Sequence, residues 1–179
     1  MKRLITGLAV LSLLAAALAQ TASTATADLA DSQGKKVGTA ELTQTPEGVR
    51  IALTVSGLAP GQHAFHIHAA GKCEAPDFKS AGAHFNPYNK KHGLKNPEGP
   101  HAGDMENIQV GSDGAGTAEI VNKQVTLADG PNSLFHEGGT AIVIHARPDD
   151  NMTDRPSGQR RSADRLRRDY EISERVAAL

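Results

Sequence analysis

The sequence predicts an all-β protein, a sandwich or barrel of short strands joined by turns and by one long loop. Between Val49 and Val55, apolar residues alternate with more polar ones, and this period of two is typical of a half-buried strand. Clusters of Gly, Pro, Asp and Ser interrupt the chain at short intervals, and the 18 Gly and 9 Pro residues suit a fold with many turns. Short strands separated by regular turns are typical of β-sandwiches and β-barrels.

The amino end has the pattern of a secretory signal peptide, which we assign to residues 1–19. Lys2 and Arg3 precede an apolar run from Leu4 to Leu18, and small residues surround the expected cleavage point after Ala19. The run is shorter than the ~20 apolar residues that a bilayer-spanning helix needs. We therefore expect an exported protein, periplasmic or extracellular, without a stable membrane anchor.

The rest of the chain is predicted to form one domain. Removing the first 19 of 179 residues leaves 160, enough for one compact domain with its own core. Without Lys2 and Arg3 the formal charge changes from -1 to -3, which gives no reason to expect a nucleic-acid partner. Aromatic residues make up 3% and Trp is absent, so Val, Ile, Leu and Ala must fill the core.

The strands can be placed between named turns. Asp31 to Gly34, Thr45 to Gly48 and Gly111 to Gly114 have turn compositions. The predicted strands run from about Thr24 to Ala30, Val37 to Leu42, Val49 to Val55, Gln62 to His68, Asn107 to Val110, Thr117 to Val121 and Ala141 to Ala146.

One long stretch, from Ala69 to Met105, shows almost no periodicity. Five Gly and four Pro residues interrupt it, and it holds three of the eight histidines. A structureless loop of this length is uncommon in a compact domain, and it is usually functional or disordered. We interpret this one as functional.

Two histidines are expected to converge at the end of a strand. His66 and His68 are two residues apart, so their side chains project from the same face. His145 ends a later strand and would bring another imidazole to the same place. Several imidazoles around one point make the nitrogen-rich site that Cu²⁺ prefers.

The long loop carries a second set of metal-binding residue types. His84, His92, His101 and Asp104 offer three ring nitrogens and one carboxylate oxygen. That donor set suits tetrahedral Zn²⁺.

The chain resembles the copper-zinc superoxide dismutase family over roughly residues 24 to 158. The motifs that carry the resemblance are Gly61-Gln62-His63-Ala64-Phe65-His66-Ile67-His68, Ser80-Ala81-Gly82-Ala83-His84-Phe85-Asn86-Pro87, His92-Gly93, His101-Ala102-Gly103-Asp104, and His145 followed by Asp149. The resemblance implies a Greek-key antiparallel β-barrel with long metal-binding loops, and a copper ion and a zinc ion as cofactors.

The family's ligands carry over residue by residue. The copper ligands implied are His66, His68, His84 and His145, and the zinc ligands are His84, His92, His101 and Asp104. His84 would bridge both metals. By the same resemblance, Asp149 is an outer carboxylate that links His66 to His92, and His63 is a structural residue that hydrogen-bonds the backbone. His136 has no counterpart among the ligands and is interpreted as a solvated loop residue.

The resemblance also implies a reaction, the conversion of two superoxide ions and two protons to dioxygen and hydrogen peroxide. Copper would alternate between two oxidation states, and zinc would fix the loop and polarise the bridging ring. His84 is the implied catalytic residue, since it would release copper, take up a proton and deliver it to the peroxide. Superoxide is thus the expected small-molecule substrate.

The tail from Gln159 to Leu179 departs from the family. The family's closing strand supplies an anion-guiding Arg and half of a disulfide, and nothing after Gly158 matches it. Instead, Leu166, Tyr170, Ser173 and Val176 follow a helical spacing in an Arg-rich segment. Cys73 resembles the other half of that disulfide, but it is the only cysteine, so no disulfide can form within the chain.

We hypothesise that a frameshift produced this tail. Gln159 to Tyr170 can be encoded by DNA that, read one base later, gives Asn-Ala-Gly-Ala-Arg-Ile-Ala-Cys-Gly-Val-Ile. A single-base insertion near Gly158 would have this effect, and a divergent helical tail is the competing interpretation. Codons that give no such peptide in the shifted frame would end the idea.

Three functional classes follow from these residues. The first is a working dismutase, the second an inactive relative that binds or buffers copper and zinc, and the third a structural zinc module. The complete set of copper ligands argues against the zinc module. The sequence does not fix the oligomeric state, and a homodimer stays open.

Overall fold

Short antiparallel strands dominate the chain, and no α-helix occurs in the described residues. The structure is a computed structural model that describes residues 23–152 together with the backbone of 174–177. The strands are β1 (Thr24–Ala30), β2 (Lys36–Thr45), β3 (Gly48–Val55), β4 (Gly61–His63), β5 (Phe65–His68), β6 (Ile108–Val110), β7 (Gly116–Asn122), β8 (Ala141–Ile144) and β9 (Glu174–Ala177).

The strands form one seven-stranded sheet, in the order β5-β8-β9-β1-β2-β3-β7, and a two-stranded sheet of β4 and β6. β1, β2 and β3 pair consecutively, but β3 then pairs with β7, and β5 pairs with β8. Long connections of this kind between antiparallel strands are those of a Greek key. The all-β prediction is confirmed.

The alternation in β3 shows how the sequence builds the core. Val49, Ile51, Leu53 and Val55 are at most 2% exposed, whereas Thr54, between the last two, faces solvent. In β5, Phe65 and Ile67 are fully buried among these core residues. Because side chains alternate along a strand, this burial turns His66 and His68 to the opposite face.

The predicted strand from Gln62 to His68 is divided in two at Ala64. β4 pairs with β6, whereas β5 pairs with β8. The amide of Ala64 donates to the carbonyl of Arg147, and its own carbonyl accepts from the amide of His145. The chain therefore changes sheets at Ala64 without leaving its backbone groups unsatisfied.

The stretch from Ala69 to Met105 contains no strand, as predicted. Its one regular element is a short 3-10 helix, Lys79–Ala81. Backbone hydrogen bonds from Ala69 to Ala83 and from Ala70 to Ala81 fold the loop back towards β5. Cys73 is buried in a small cluster that also contains Val143 of β8.

The end of the chain differs from the helical prediction. Residues 174–177 form β9, which pairs with β8 along its whole length and with Leu29 and Ala30 of β1. The helical interpretation is therefore wrong at Val176, and a short closing strand is present. Without β9, the facing edges of β1 and β8 would lack backbone partners, and pairing with them outweighs a local helical preference.

Two of these predictions concern residues outside the described part of the chain. The signal peptide at 1–19 is one of them. The frameshift hypothesis is another, because it concerns Gln159 to Tyr170. Both stay predictions. Within residues 23–152 and 174–177, no helix is long and apolar enough to cross a membrane.

Candidate metal centre

A ring of three backbone hydrogen bonds brings the ligand-bearing segments together. The amide of Ile67 donates to the carbonyl of Gly103 at 2.9 Å, Phe85 donates to Ile67 at 2.8 Å, and Gly103 donates to Phe85 at 2.8 Å. A Cβ atom on Gly103 would lie 2.1 Å from the Ile67 carbonyl oxygen, so the approach requires glycine. Four candidate ligands directly flank this ring: His66, His68, His84 and Asp104.

The first cluster consists of four imidazoles. His66, His68, His84 and His145 each offer a nitrogen, and these atoms lie within 4.8 Å of one another. His66 and His68 come from β5, and His145 follows β8, the strand paired with β5. The sheet thus supplies three of the four rings, and the long loop supplies His84.

Hydrogen bonds orient the rings of the first cluster. Nε2 of His66 donates to Asp149 Oδ2 at 2.9 Å, and Nδ1 of His68 donates to the Gly82 carbonyl at 2.8 Å. The remaining atoms, His66 Nδ1, His68 Nε2 and His145 Nε2, are buried and have no hydrogen-bond partner among the described residues. Buried polar nitrogens of this kind are rare unless an ion or a water completes the site.

The second cluster is built around the Asp104 carboxylate. Its Oδ1 lies 2.8 Å from Nδ1 of His84, 3.0 Å from Nδ1 of His92 and 3.3 Å from Nδ1 of His101. Its Oδ2 accepts the backbone N–H groups of Gly93, at 2.8 Å, and His101, at 3.0 Å. Three ring nitrogens and one carboxylate oxygen therefore converge, with the carboxylate held by the backbone of the same loop.

Asp149 joins the two clusters. Its Oδ2 lies 2.9 Å from Nε2 of His66 and 2.8 Å from Nε2 of His92. One carboxylate oxygen thus contacts a ring from each cluster. A partner of this kind fixes the orientation of metal-binding imidazoles.

His63 braces the end of β8. Its Nδ1 lies 2.8 Å from the carbonyl oxygen of His145, and its Nε2 lies 2.7 Å from that of Ala59. The ring therefore contacts backbone and lies outside both clusters.

Burial keeps three rings of the first cluster neutral, those of His68, His84 and His145. Desolvation, reinforced by neighbouring imidazoles, lowers the pKa of His68 to about 3. Desolvation also outweighs the hydrogen bond to Asp104 and lowers the pKa of His84 to about 4. The same cause holds the pKa of His145 well below its ordinary value. At neutral pH these rings therefore keep the lone pairs that a metal ion needs.

At His92, the carboxylates of Asp104 and Asp149 raise the pKa instead. Burial lowers the pKa of His92, but hydrogen bonds with Asp104 and Asp149 outweigh it and raise that pKa to about 10. Burial raises the pKa of each carboxyl group, yet hydrogen bonds from the histidines bring both pKa values below their ordinary range. Both carboxylates are therefore charged, and they can balance a bound cation.

The comparison with known families decides the assignment. Residues 36–166 match the sequence profile of the family described as copper/zinc superoxide dismutase (SODC). The chain belongs to the copper/zinc superoxide dismutase family. Members of this family use copper and zinc, and the two clusters could hold these ions.

Individual relatives agree with the family assignment. The chain is 57% identical to superoxide dismutase [Cu-Zn] 1 of Aquifex aeolicus over 134 residues, which are 74% of this chain and 79% of the relative. It is 46% identical to superoxide dismutase [Cu-Zn] of Caulobacter vibrioides, over 72% of this chain and 76% of the relative. By this kinship the chain is an enzyme of the copper/zinc superoxide dismutase type.

The fold also matches a solved structure. The crystal structure of a superoxide dismutase-like protein from Bacillus subtilis superposes with a TM-score of 0.74. The match covers 85% of this chain and 97% of that protein, at 35% identity.

The family motifs did not indicate every residue that shapes the centre. Asn107 lies outside every motif, and its side chain contacts the backbone of Asp149. Gly103 belongs to a motif, but its close approach to the backbone of Ile67 is seen only in the folded chain. The interpretation of His136 as a solvated loop residue is only partly correct. Its ring is half-buried and stacks on Phe85, with centroids 5.2 Å apart and planes 5° from parallel.

Proposed function

We propose that this protein converts superoxide to dioxygen and hydrogen peroxide, with copper at the first cluster and a structural zinc at the second. The observation that carries the proposal is that both clusters include the same ring, His84. Two cations on either side of one imidazole favour its deprotonation, so that each nitrogen can bind a metal.

The residues of the first cluster fit copper. Their donors are nitrogens only, and Cu²⁺ favours nitrogen-rich sites of tetragonal geometry. Three of those nitrogens, on His66, His68 and His145, are buried and lack a hydrogen-bond partner in the described part of the chain. A bound cation would satisfy all three at once.

The residues of the second cluster fit zinc. Three imidazoles and one carboxylate make a closed four-ligand set, the kind that structural Zn²⁺ sites use. His84 presents Nδ1 to this cluster, 2.8 Å from Asp104, which leaves its Nε2 for the first cluster.

When bound, copper would supply the one-electron redox chemistry, and zinc would fix the loop. The residues of the chain transfer protons and leave a path from solvent to the first cluster. His84 is the ring common to both clusters, and 8% of its side-chain surface is exposed. We therefore assign it the role of taking up a proton from solvent and passing it to the product.

Access to the first cluster is one-sided. His66 is fully buried, whereas Gly82 and Ala83, which precede His84, are exposed. His145 is half-buried. A small anion would therefore approach beside His84 and His145.

The location and assembly of the protein are also proposals. We infer that residues 1–19 direct export to the periplasm or outside the cell. We also infer that residues 20–158 form a single dismutase domain, whose sheet β9 joins between β8 and β1. A homodimer is retained as one possible assembly.

A superoxide-consumption assay on the purified protein loaded with copper and zinc tests the proposal. We expect turnover, and we expect His84→Gln to abolish it because the shared ring is lost. His136→Gln serves as the matched control, since His136 lies outside both clusters, and it should retain turnover. Equal activity in both variants would refute the role of His84.

A protein that binds copper and zinc without turnover is the second candidate. The relative from Bacillus subtilis that is 41% identical to this chain is named superoxide dismutase-like, which keeps this class open. An assay of this chain beside a version with the restored reading frame distinguishes a working dismutase from the second candidate. Metal uptake without turnover in both proteins would favour the second candidate.

A further inference from the structure

His92 is held from two sides by carboxylates that come from distant parts of the chain. Its Nδ1 lies 3.0 Å from Asp104 Oδ1, and its Nε2 lies 2.8 Å from Asp149 Oδ2. A metal bound through Nδ1 would lie beside the Asp104 carboxylate, and Asp149 orients the ring from the opposite side. The separation of Asp104 and Asp149 is therefore a property that the fold must set.

Asp104 has its own support, but Asp149 lies on irregular chain. The backbone amides of Gly93 and His101 hold the Asp104 carboxylate. Asp149 lies in the segment after β8, and within its own segment its carboxylate receives one backbone N–H, from Asn151 at 3.0 Å. That bond joins neighbours in the chain and does not place them relative to Asp104.

The side chain of Asn107 holds the backbone of Asp149. Its Oδ1 accepts the backbone N–H of Asp149 at 2.8 Å, and its Nδ2 donates to the backbone carbonyl of Asp149 at 2.8 Å. One side-chain amide thus holds both backbone groups of Asp149. Such a double contact needs a neutral group that both donates and accepts, which only Asn and Gln amides offer in this planar form.

Asn107 is itself firmly placed relative to Asp104. It follows Asp104 by three residues and immediately precedes β6, which begins at the buried Ile108 and pairs with β4. Its side chain therefore ties Asp149 to the segment that carries Asp104.

We propose that Asn107 is a positioning residue that sets the spacing of the two carboxylates around His92 and thereby the zinc affinity of the second cluster. This inference rests on the proposed function, in which that cluster binds zinc. Outer contacts of this kind typically change metal affinity by ~10 to 100-fold.

Zinc affinity and ring protons together test the inference. Asn107→Leu removes both hydrogen bonds at similar volume, whereas Asn107→Asp keeps the acceptor and loses the donor. Asn132→Leu is the matched control, because the Asn132 side chain donates to the Gln124 carbonyl at 2.9 Å in the loop after β7, outside both clusters. Zinc affinity is measured by competition with a chromophoric chelator, well below the unfolding temperature of each protein.

We expect zinc binding to weaken about 10-fold in Asn107→Leu. The loss should be smaller in Asn107→Asp, and there should be none in Asn132→Leu. In NMR spectra of the zinc-saturated protein, the Nε2–H signals of His66 and His92 should exchange faster with water in the Asn107 variants. A residue that only stabilises the fold would lower the unfolding temperature without these two changes.

Unchanged zinc affinity and unchanged ring-proton exchange in Asn107→Leu would overturn the inference. If that variant does not fold, the same results in Asn107→Asp would overturn it. Absence of zinc binding by the unsubstituted protein would instead refute the proposed function, and the inference with it. The two failures are thus distinguishable.

Discussion

At the scale of single residues, the pKa values of neighbouring histidines shift in opposite directions. Burial lowers the pKa of His68 to about 3 and of His84 to about 4, whereas two carboxylates raise the pKa of His92 to about 10. His68 and His84 can therefore accept a cation at neutral pH without losing a proton. At the second cluster a cation must displace a proton from His92, so that zinc binding should release protons.

The stability of the metal-free protein should depend on pH in a bell-shaped manner. His68 and His84 have pKa values below 6.5 in the folded state, so the unfolded chain binds more protons below that pH, and stability should rise from about pH 3 to 6.5. His92 has a pKa of about 10, so its stabilising contribution is complete below pH 6.5 and is lost as the pH rises to 10. Urea unfolding across this range measures the curve.

His92→Gln provides the control for the alkaline half of that curve. The variant lacks the proton that is held between the two carboxylates, so its stability should no longer fall between pH 6.5 and 10. A decline as steep as that of the unsubstituted protein would show that another group causes it.

Gly103 allows a close backbone contact because it has no Cβ atom. In Gly103→Ala the new Cβ would lie 2.1 Å from the backbone oxygen of Ile67, so the ring of backbone hydrogen bonds must open. We expect a loss of about 1–3 kcal/mol in the free energy of unfolding. Urea denaturation of the metal-free protein measures it.

Gly111→Ala is the matched control for that experiment. There the new Cβ would meet Oδ1 of Asp113 at 2.8 Å, the end of a side chain that can move aside. The change in unfolding free energy should therefore be small, within about 0.5 kcal/mol. Equal losses in the two variants would contradict the role of the backbone ring.

At the scale of elements, the centre depends on the pairing of β5 with β8. The register sets His66 opposite Val143 and His68 opposite Ala141, and His145 follows directly after β8. A shift by one residue would turn His66 and His68 into the core and expose Phe65 and Ile67. The buried apolar face of β5 therefore fixes the metal-binding face as well.

β9 completes the sheet on the other side of β8. Removing residues 174–179 should leave the facing edges of β8 and β1 unpaired. We expect the free energy of unfolding to fall by about 1–3 kcal/mol, since a backbone hydrogen bond contributes about 1 kcal/mol net. Self-association should also increase because an open sheet edge can pair with another chain.

A shorter truncation tests whether β9 itself is responsible. Removing only Ala178 and Leu179 leaves the paired residues of β9 in place, so stability and association should stay close to those of the full chain. If both truncations behave alike in urea unfolding and light scattering, β9 does not contribute to the sheet.

At the scale of the whole molecule, the sequence predicted what depends on local pattern and donor chemistry. Alternation in β3 predicted the strand, and the spacing of His66 and His68 predicted that they share a face. The double contact of Asn107 with Asp149 could not be predicted, because the two residues are 42 positions apart. The helical spacing predicted the wrong structure at Val176, because the pairing of β9 with β8 and β1 is a tertiary effect.

In the proposed centre, one imidazole joins two different metal ions. Crystals of the protein loaded with copper and zinc, measured with X-rays at the absorption edge of each metal, test it most directly. We predict a copper peak among His66, His68 and His145, a zinc peak among His92, His101 and Asp104, and the His84 ring bonded to both. Two metal peaks without a shared His84 ring, or peaks outside these clusters, would contradict the account.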